Sequence, residues 1–348
     1  MSTIKSHTFQ GAFITESGEV ITNPVLAYQS WGVLNNTQDN VIIISHALTG
    51  NTNAKEWFSG IFQERGIIDL EKHFVICINH PGSNYGSVGP TSTNPSNGNT
   101  YKADFPELTI RDIVKLEQQL LDELGIKEIE LIIGGSMGGM VALEFCLMDT
   151  RIKLACLMAM GKSHSAWAIG ISEAQRLAIK ADKNWLKGFY PDDTPPIDGL
   201  AAARSMAMIT YRSPLNYDHK FGRNWNIQKN IFEVASYLNH QGKKLTQRFD
   251  ANSYIILTKA MDSHDVARGR GTAKSVLSRI QIPVLIIGID SDILYPIKEQ
   301  IELAELIPHS TFREIKSKYG HDAFLIEFDQ INNAIKSFQN VASSQLSV

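Results

Sequence analysis

Along the first half of the chain, short runs that are apolar without alternation take turns with longer stretches of helical period. The runs are "VIIIS" (41–45), "HFVICIN" (73–79), "IELIIGG" (129–135) and "LACLMAM" (154–160). A strand with one solvated face alternates apolar and polar residues, whereas an unbroken apolar run of this length suits a parallel sheet covered on both faces. Between the second and third runs, "TIRDIVKLEQQLLDELGI" is apolar at Ile110, Ile113, Leu116, Leu120, Leu121 and Leu124. That spacing predicts an amphipathic helix opened by Thr109 and closed by Gly125. Strand–helix–strand repetition of this kind predicts an α/β fold with a mostly parallel central sheet flanked by helices.

The pattern changes over residues 162–280. Strand-like runs vanish, and helical stretches are broken by loops such as "YPDDTPPIDG" and "HKFGRNWNIQKN". Then "IPVLIIGID" (282–290) restores a buried strand, the helix "PIKEQIELAELI" follows, and "STFREI" reads as the last strand before a final amphipathic helix around 329–340. The predicted organisation is therefore one α/β core, residues 1–161 and 281–348, interrupted by a helical lid insertion over 162–280. No internal repeat is present, and low-complexity sequence is confined to the tail "SSQLSV".

Composition narrows the class of protein without naming it. A chain of 348 residues with 43% hydrophobic and 20% charged residues has enough apolar mass for a large core. The formal charge of −3 supplies no basic stripe for nucleic acid. No run of about 18 apolar residues exists to span a membrane, and the start "MSTIKSHTFQG" has no apolar signal region. Cys77, Cys146 and Cys156 are odd in number, lack metal spacing and sit in apolar contexts, which reads as reduced core cysteine. The expectation is a cytoplasmic enzyme without a metal.

Candidate chemistry enters at Gly134-Gly135-Ser136-Met137-Gly138, a G-x-S-x-G pattern between a predicted strand and a predicted helix. A serine on so sharp a turn is pushed out over the carboxyl end of the sheet, and the turn tolerates no bulky neighbour. The N–H of Met137, at the helix start, is left to face the reacting centre. Alone the pattern is also met in ordinary glycine-rich packing turns. A serine nucleophile needs a base and an orienting carboxylate, which in this architecture follow later strands in the order Ser, Asp, His. "DSDILYP" and "KSKYGHDAFL" occupy those two places. Of ten histidines, His321 alone sits in a glycine-preceded loop between the last strand and last helix, and is the candidate base. Asp290 and Asp292 compete for the acid, and the four-residue spacing to Pro296 favours Asp292. In "ISHALTG" (44–50) the N–H of Leu48 is the candidate second oxyanion donor, beside that of Met137.

Taken in order, "SHALTGN", "YGSVGPTSTNP", "DFPELTIRD", "GGSMGGM", residues 232–271, "DSDILYP" and "YGHDAFL" resemble the homoserine O-acyltransferases of the α/β-hydrolase fold, chiefly the acetyltransferases. The resemblance runs from about residue 8 to 340 and includes the insertion. It implies double displacement: Ser136 takes the acyl group from acetyl-CoA, with His321 as base and Asp292 holding the imidazole, and the homoserine hydroxyl then takes it from the serine. It also implies that Arg204 and Tyr211, seven residues apart on a lid helix, grip the amino acid, that Asp322 meets its ammonium group, and that the protein is a homodimer formed through lid helices. No permanently bound cofactor is implied, and acetyl-CoA is a substrate. Positions seven apart do lie on nearly one helix face, and a guanidinium fork suits a carboxylate.

The chain departs from the family pattern at Val141, where glutamine is usual, and at "NHPGSN" (79–84), where small residues with leucine and glycine are usual. Both departures bear on the choice of acyl donor. No additional arginine or lysine lies in the segments around Ser136 and Leu48 to hold a succinyl carboxylate, which favours acetyl. A serine acceptor differs from homoserine by one methylene, and a hydrolase taking water would share the same triad.

Overall fold

The four apolar runs of the first half, the one of the second and the segment "STFREI" are all strands of one sheet. In a computed structural model the described residues are 3–346, the last four of them by backbone alone, so the low-complexity tail at 343–348 lies outside the described side chains. The sheet has eight strands: β1 (Lys5–Thr8), β2 (Val25–Trp31), β3 (Val41–Ser45), β4 (Phe74–Ile78), β5 (Ile129–Gly135), β6 (Ala155–Met158), β7 (Val284–Ile289) and β8 (Ser310–Ile315). Their order is β1-β2-β4-β3-β5-β6-β7-β8. Strands β3 to β8 are mutually parallel, and β2 runs antiparallel to both of its neighbours.

The unbroken apolar character of the central strands has a direct cause. In β3, Val41 and Ile43 enter the core on one face of the sheet, while Ile42 and Ile44 enter the core on the other. Strand β7 divides in the same way, with Val284 and Ile286 on the first face and Leu285, Ile287 and Ile289 on the second. Alternation survives as geometry but not as polarity, because neither face meets water. The N-terminal strands escaped sequence reading for the opposite reason. Strand β1 is "KSHT" on an exposed edge, β2 carries Gln29 and Ser30, and a small hairpin of Ala12–Ile14 with Val20–Thr22 is largely solvated.

The predicted helix over 110–124 is observed as Ile110–Glu123 (α1), and its start is a capping box: Thr109 accepts from the Asp112 N–H while the Asp112 side chain accepts from the Thr109 N–H. The elbow helix, Met137–Met148 (α2), is buried along most of its length.

Between β6 and β7 stand the helices Ala166–Lys180, Ile197–Tyr211, Pro214–Phe221, Glu233–Thr246, Ala251–Asp262 and Ala273–Leu277. Strands do not vanish entirely there. Trp225–Asn226 pairs with Ile231–Phe232 in a two-stranded turn too short to show a period-two signal. The apolar core on one sheet face continues through Tyr254 and Leu257 to Leu200 and Ala203, so this segment rests directly on the sheet domain. Much of its outer surface is apolar as well, with Trp167, Leu186, Phe189, Ile209 and Leu215 more than half exposed. Among the described residues no helix is long and apolar enough to cross a membrane.

Candidate active site

Strand β5 ends at Gly135, and Ser136 then takes φ 58° and ψ −128° before helix α2 begins at Met137. A non-glycine residue in that region costs on the order of 1–3 kcal/mol and persists only where its surroundings hold it. Here the Ser136 N–H donates to the Met158 carbonyl (3.0 Å), and the Ser136 carbonyl accepts from Gly139 (2.9 Å) and Met140 (3.1 Å). The flanking glycines are required by close approach. A Cβ on Gly134 would lie 2.1 Å from the Gly138 carbonyl oxygen, and one on Gly138 would lie 2.1 Å from that of Ser45. The turn is therefore clamped between β3, β6 and its own helix.

The loops after β7 and β8 meet beside it. His321 is buried, and its Nδ1–H donates to Asp292 Oδ2 at 2.7 Å. The other oxygen of Asp292 accepts from the N–H groups of Leu294 (2.8 Å) and Tyr295 (3.0 Å), so the carboxylate is held at both ends. This arrangement leaves His321 Nε2 as the lone pair available to take a proton. Burial lowers the basicity of His321, but the adjacent Asp292 charge and hydrogen bond outweigh it and hold the imidazole above its ordinary pKa. Asp290 is differently employed: it accepts from the Ser317 N–H (3.0 Å) and ties the two loops together. Ser291 adds a second tie, accepting from the Gly320 N–H (3.0 Å) and donating to the Ser317 carbonyl.

Ser136 and His321 line one cavity of about 210 Å³ with Leu48, Arg204, Tyr211 and Asp322. Among the described residues Ser136 Oγ has no hydrogen-bond partner; proton transfer requires a bond from Oγ to His321 Nε2, and such catalytic bonds often form only as substrate binds. Met137 does not line the cavity with its side chain, which is fully buried, but as the first residue of α2 its N–H lacks an intrahelical acceptor.

Arg204 lies with its guanidinium over the Tyr211 ring, 5.2 Å from the centroid, and its Nη1 is buried without a partner. The Tyr211 ring in turn is 5.7 Å from that of His321. Burial raises the Asp322 carboxyl above its usual range against the opposing pull of Arg212, His321 and Arg204. Arg212, to which sequence reasoning assigned nothing, forms an ion pair with Asp322 (Nε to Oδ2, 3.0 Å).

Two further cavity residues were missed. Trp57 lines it from the short helix Ala54–Trp57 that follows β3, and Arg248 reaches it from between the helices Glu233–Thr246 and Ala251–Asp262, donating to the Thr49 carbonyl (2.8 Å) and to the Tyr85 hydroxyl (2.5 Å). The Ser136 and Leu48 segments themselves hold no arginine or lysine, as read from the sequence, but Arg248 reaches the cavity from elsewhere in the chain. Arg248 stands in the quoted "RFDANSY", yet only the tertiary fold brings it to the cavity. The two family departures resolve differently. Val141 is fully buried in the core of the sheet and makes no part of the cavity wall. His80, placed by its sequence in a loop, is fully buried against His46.

Comparison with known proteins identifies the family and the fold. Residues 40–328 match the α/β hydrolase fold family. A homoserine O-acetyltransferase of Chlorobium chlorochromatii is 50% identical, over 96% of this chain and 94% of that one. Among solved structures, a homoserine O-acetyltransferase from Staphylococcus aureus is 30% identical with a TM-score of 0.79, covering 98% of this chain and 95% of its own. Esterase E22 superposes with a TM-score of 0.88 at 25% identity, covering 97% of this chain and 100% of that chain. The backbone alone therefore does not separate acyl transfer from ester hydrolysis.

Proposed function

Since the chain belongs to the homoserine O-acetyltransferase family of the α/β-hydrolase fold, we propose that it moves an acetyl group from acetyl-CoA to the hydroxyl of L-homoserine through an acetyl-Ser136 intermediate. His321 Nε2 takes the Ser136 proton as Oγ attacks the thioester carbonyl. The oxyanion is met by the N–H groups of Leu48 and Met137, and the thiolate leaves with the proton from His321. In the second half the homoserine hydroxyl gives its proton to the same nitrogen and attacks the ester carbonyl. Ser136 then departs, reprotonated by His321. Asp292 keeps the Nδ1–H tautomer in place and stabilises the imidazolium formed in each half.

The observation that carries this reading is that Arg204, whose Nη1 is buried without a partner, lines the same small cavity as Ser136 and Asp322. A buried guanidinium N–H without an acceptor is costly, and a carboxylate relieves it. With Asp322 for the ammonium, the pair matches a free amino acid, which water as acceptor would not need. A cavity of about 210 Å³ has no room for the nucleotide of the donor. We place that part in the neighbouring depression of about 430 Å³, which shares Arg248 with the cavity. The exposed apolar face of the insertion supports a homodimer formed there, and the reading is of a cytoplasmic biosynthetic enzyme.

The test is to supply acetyl-CoA with and without L-homoserine while following thiol release and O-acetylhomoserine. Homoserine-dependent thiol release matched by ester product is expected. Steady release indifferent to homoserine, with no acyl product, would assign the protein to hydrolysis. Light scattering checks the dimer.

A further inference from the structure

Behind the oxyanion loop lies a buried titratable cluster that the mechanism above does not use. His46, His80 and Glu117 are each almost completely inaccessible. His80 Nδ1 is 2.6 Å from Glu117 Oε1, and His80 Nε2 is 3.0 Å from the His46 carbonyl oxygen. The backbone N–H of His80 donates to His46 Nε2 at 3.1 Å, and His46 Nδ1 is 2.9 Å from the Ala47 carbonyl oxygen. The two rings face one another with centroids 3.9 Å apart.

The partners dictate where each proton sits. A carbonyl oxygen only accepts, so His80 carries its proton on Nε2. His46 Nε2 accepts from a backbone N–H, so its proton is on Nδ1. His80 Nδ1 is then a lone pair, and the short contact to Glu117 requires a proton from the carboxyl. Burial favours that neutral arrangement from both ends, raising Glu117 well above the carboxylate range and lowering His80 to about 4. Every contact in the series therefore points one way: from Glu117 to His80, from His80 to His46, and from His46 to the Ala47 carbonyl.

The last acceptor is the one that matters. The Ala47 carbonyl and the Leu48 N–H belong to one planar trans peptide and point in opposite directions. Fixing that carbonyl, which also accepts from the Gly50 N–H (2.8 Å), fixes the direction of the Leu48 N–H. The His46 carbonyl, gripped by His80, is itself in close approach to α2, since a Cβ on Gly138 would lie 2.9 Å from its oxygen.

We infer that Glu117 and His80 are positioning residues that orient the oxyanion peptide 47–48 through His46, by holding the two imidazoles in opposite neutral tautomers. The inference rests on the acyl-serine chemistry proposed above but not on the acyl acceptor. It also gives the "NHPGSN" departure a role in the oxyanion loop rather than in the choice of acyl donor.

The test acetylates the full-length protein with p-nitrophenyl acetate, which needs neither coenzyme A nor homoserine. The carbonyl stretch of acetyl-Ser136 is read by isotope-edited infrared difference spectroscopy, beside kcat and the homoserine KM. Glu117→Met, which removes the donor to His80, is expected to move the band to higher frequency. It should lower kcat roughly tenfold to a hundredfold, below the ~10²–10³ lost with a whole oxyanion donor, with the homoserine KM unchanged. Glu117→Gln, whose amide N–H donates to His80 Nδ1, should restore both. A folded Glu117→Met protein with the wild-type band and kcat, or a Glu117→Gln protein as impaired as Glu117→Met, overturns the inference. Should Glu117→Met not fold, ¹⁵N NMR of the wild-type imidazoles decides it. His46 protonated on Nδ1 and His80 on Nε2 support the arrangement, and a doubly protonated or Nδ1-protonated His80 contradicts it. Wild-type protein that takes no acetyl group from the ester fails the serine chemistry itself; an acetylated enzyme whose band ignores Glu117 fails only the positioning role.

Discussion

The sheet domain and the helical insertion treat burial in opposite ways. At the carboxyl ends of the strands the Ser136–His321–Asp292 set is held by bonds within the chain: one oxygen of Asp292 accepts from two backbone N–H groups and the other from His321, and backbone bonds pin the serine turn. The insertion brings to the same cavity a guanidinium with a buried nitrogen left open, and it exposes apolar residues such as Ile209 and Leu215. One region is finished within the chain, and to the other we assign the amino-acid acceptor and the dimer contact. Chemistry common to many acyl-serine enzymes is housed in the first, and the choice of acceptor in the second.

If this division holds, the largest effect belongs to the serine. Ser136→Ala should reduce thiol release by at least about 10⁴-fold whether or not homoserine is present. Near wild-type turnover in that variant would remove the nucleophile assignment. Asp292→Asn should cost about 10³–10⁴ in both half-reactions by allowing the wrong imidazole tautomer, while Asp290→Asn stays within about tenfold, consistent with a loop tie worth one ordinary hydrogen bond. A reversed ranking would exchange their roles.

Because Asp292 holds the His321 pKa above its ordinary value, the free base is lost as pH falls through that raised pKa. The acylation rate should therefore decline on the acid side at a midpoint above the ordinary imidazole value of about 6.5. An acid limb below it would contradict the Asp292 contact.

The insertion should respond differently. Arg204→Ala is expected to raise the homoserine KM by about ten- to a hundredfold, the value of a charge-assisted hydrogen bond, while the pre-steady-state burst of thiol persists. Loss of the burst would place Arg204 in the first half-reaction. The smallest catalytic effect is expected at Val141. Val141→Ala should cost about 1–3 kcal/mol of stability in chemical denaturation through its cavity and leave both Michaelis constants unchanged. A shifted acetyl-CoA KM would reinstate this position as a donor determinant.

What was legible in the sequence follows the same division. Strands β3 to β7 could be read because two buried faces demand unbroken apolar runs, and β8 by its place after a helix, whereas β1 and β2 are partly polar and carried no such signal. Ser136, Asp292 and His321 announce themselves by place, each at the end of a strand, so a local pattern suffices to bring them together. Arg212 and Arg248 carry no local sign, because their arrival depends on how the insertion folds back over the sheet. His80 and Glu117 lie 37 residues apart, and nothing in either segment hints at the 2.6 Å contact between them. Val141 shows the converse, a departure from a family pattern that draws notice in sequence and proves to be a core methyl-bearing side chain.

The central claim is that Ser136 hands its acetyl group to an amino acid rather than to water. The most direct measurement is intact-mass spectrometry of protein mixed briefly with acetyl-CoA, followed by a chase with L-homoserine or buffer. The account predicts one added acetyl group on Ser136 that survives the buffer chase and disappears with homoserine as O-acetylhomoserine forms. An adduct lost equally fast in buffer, with acetate as the product, would contradict it.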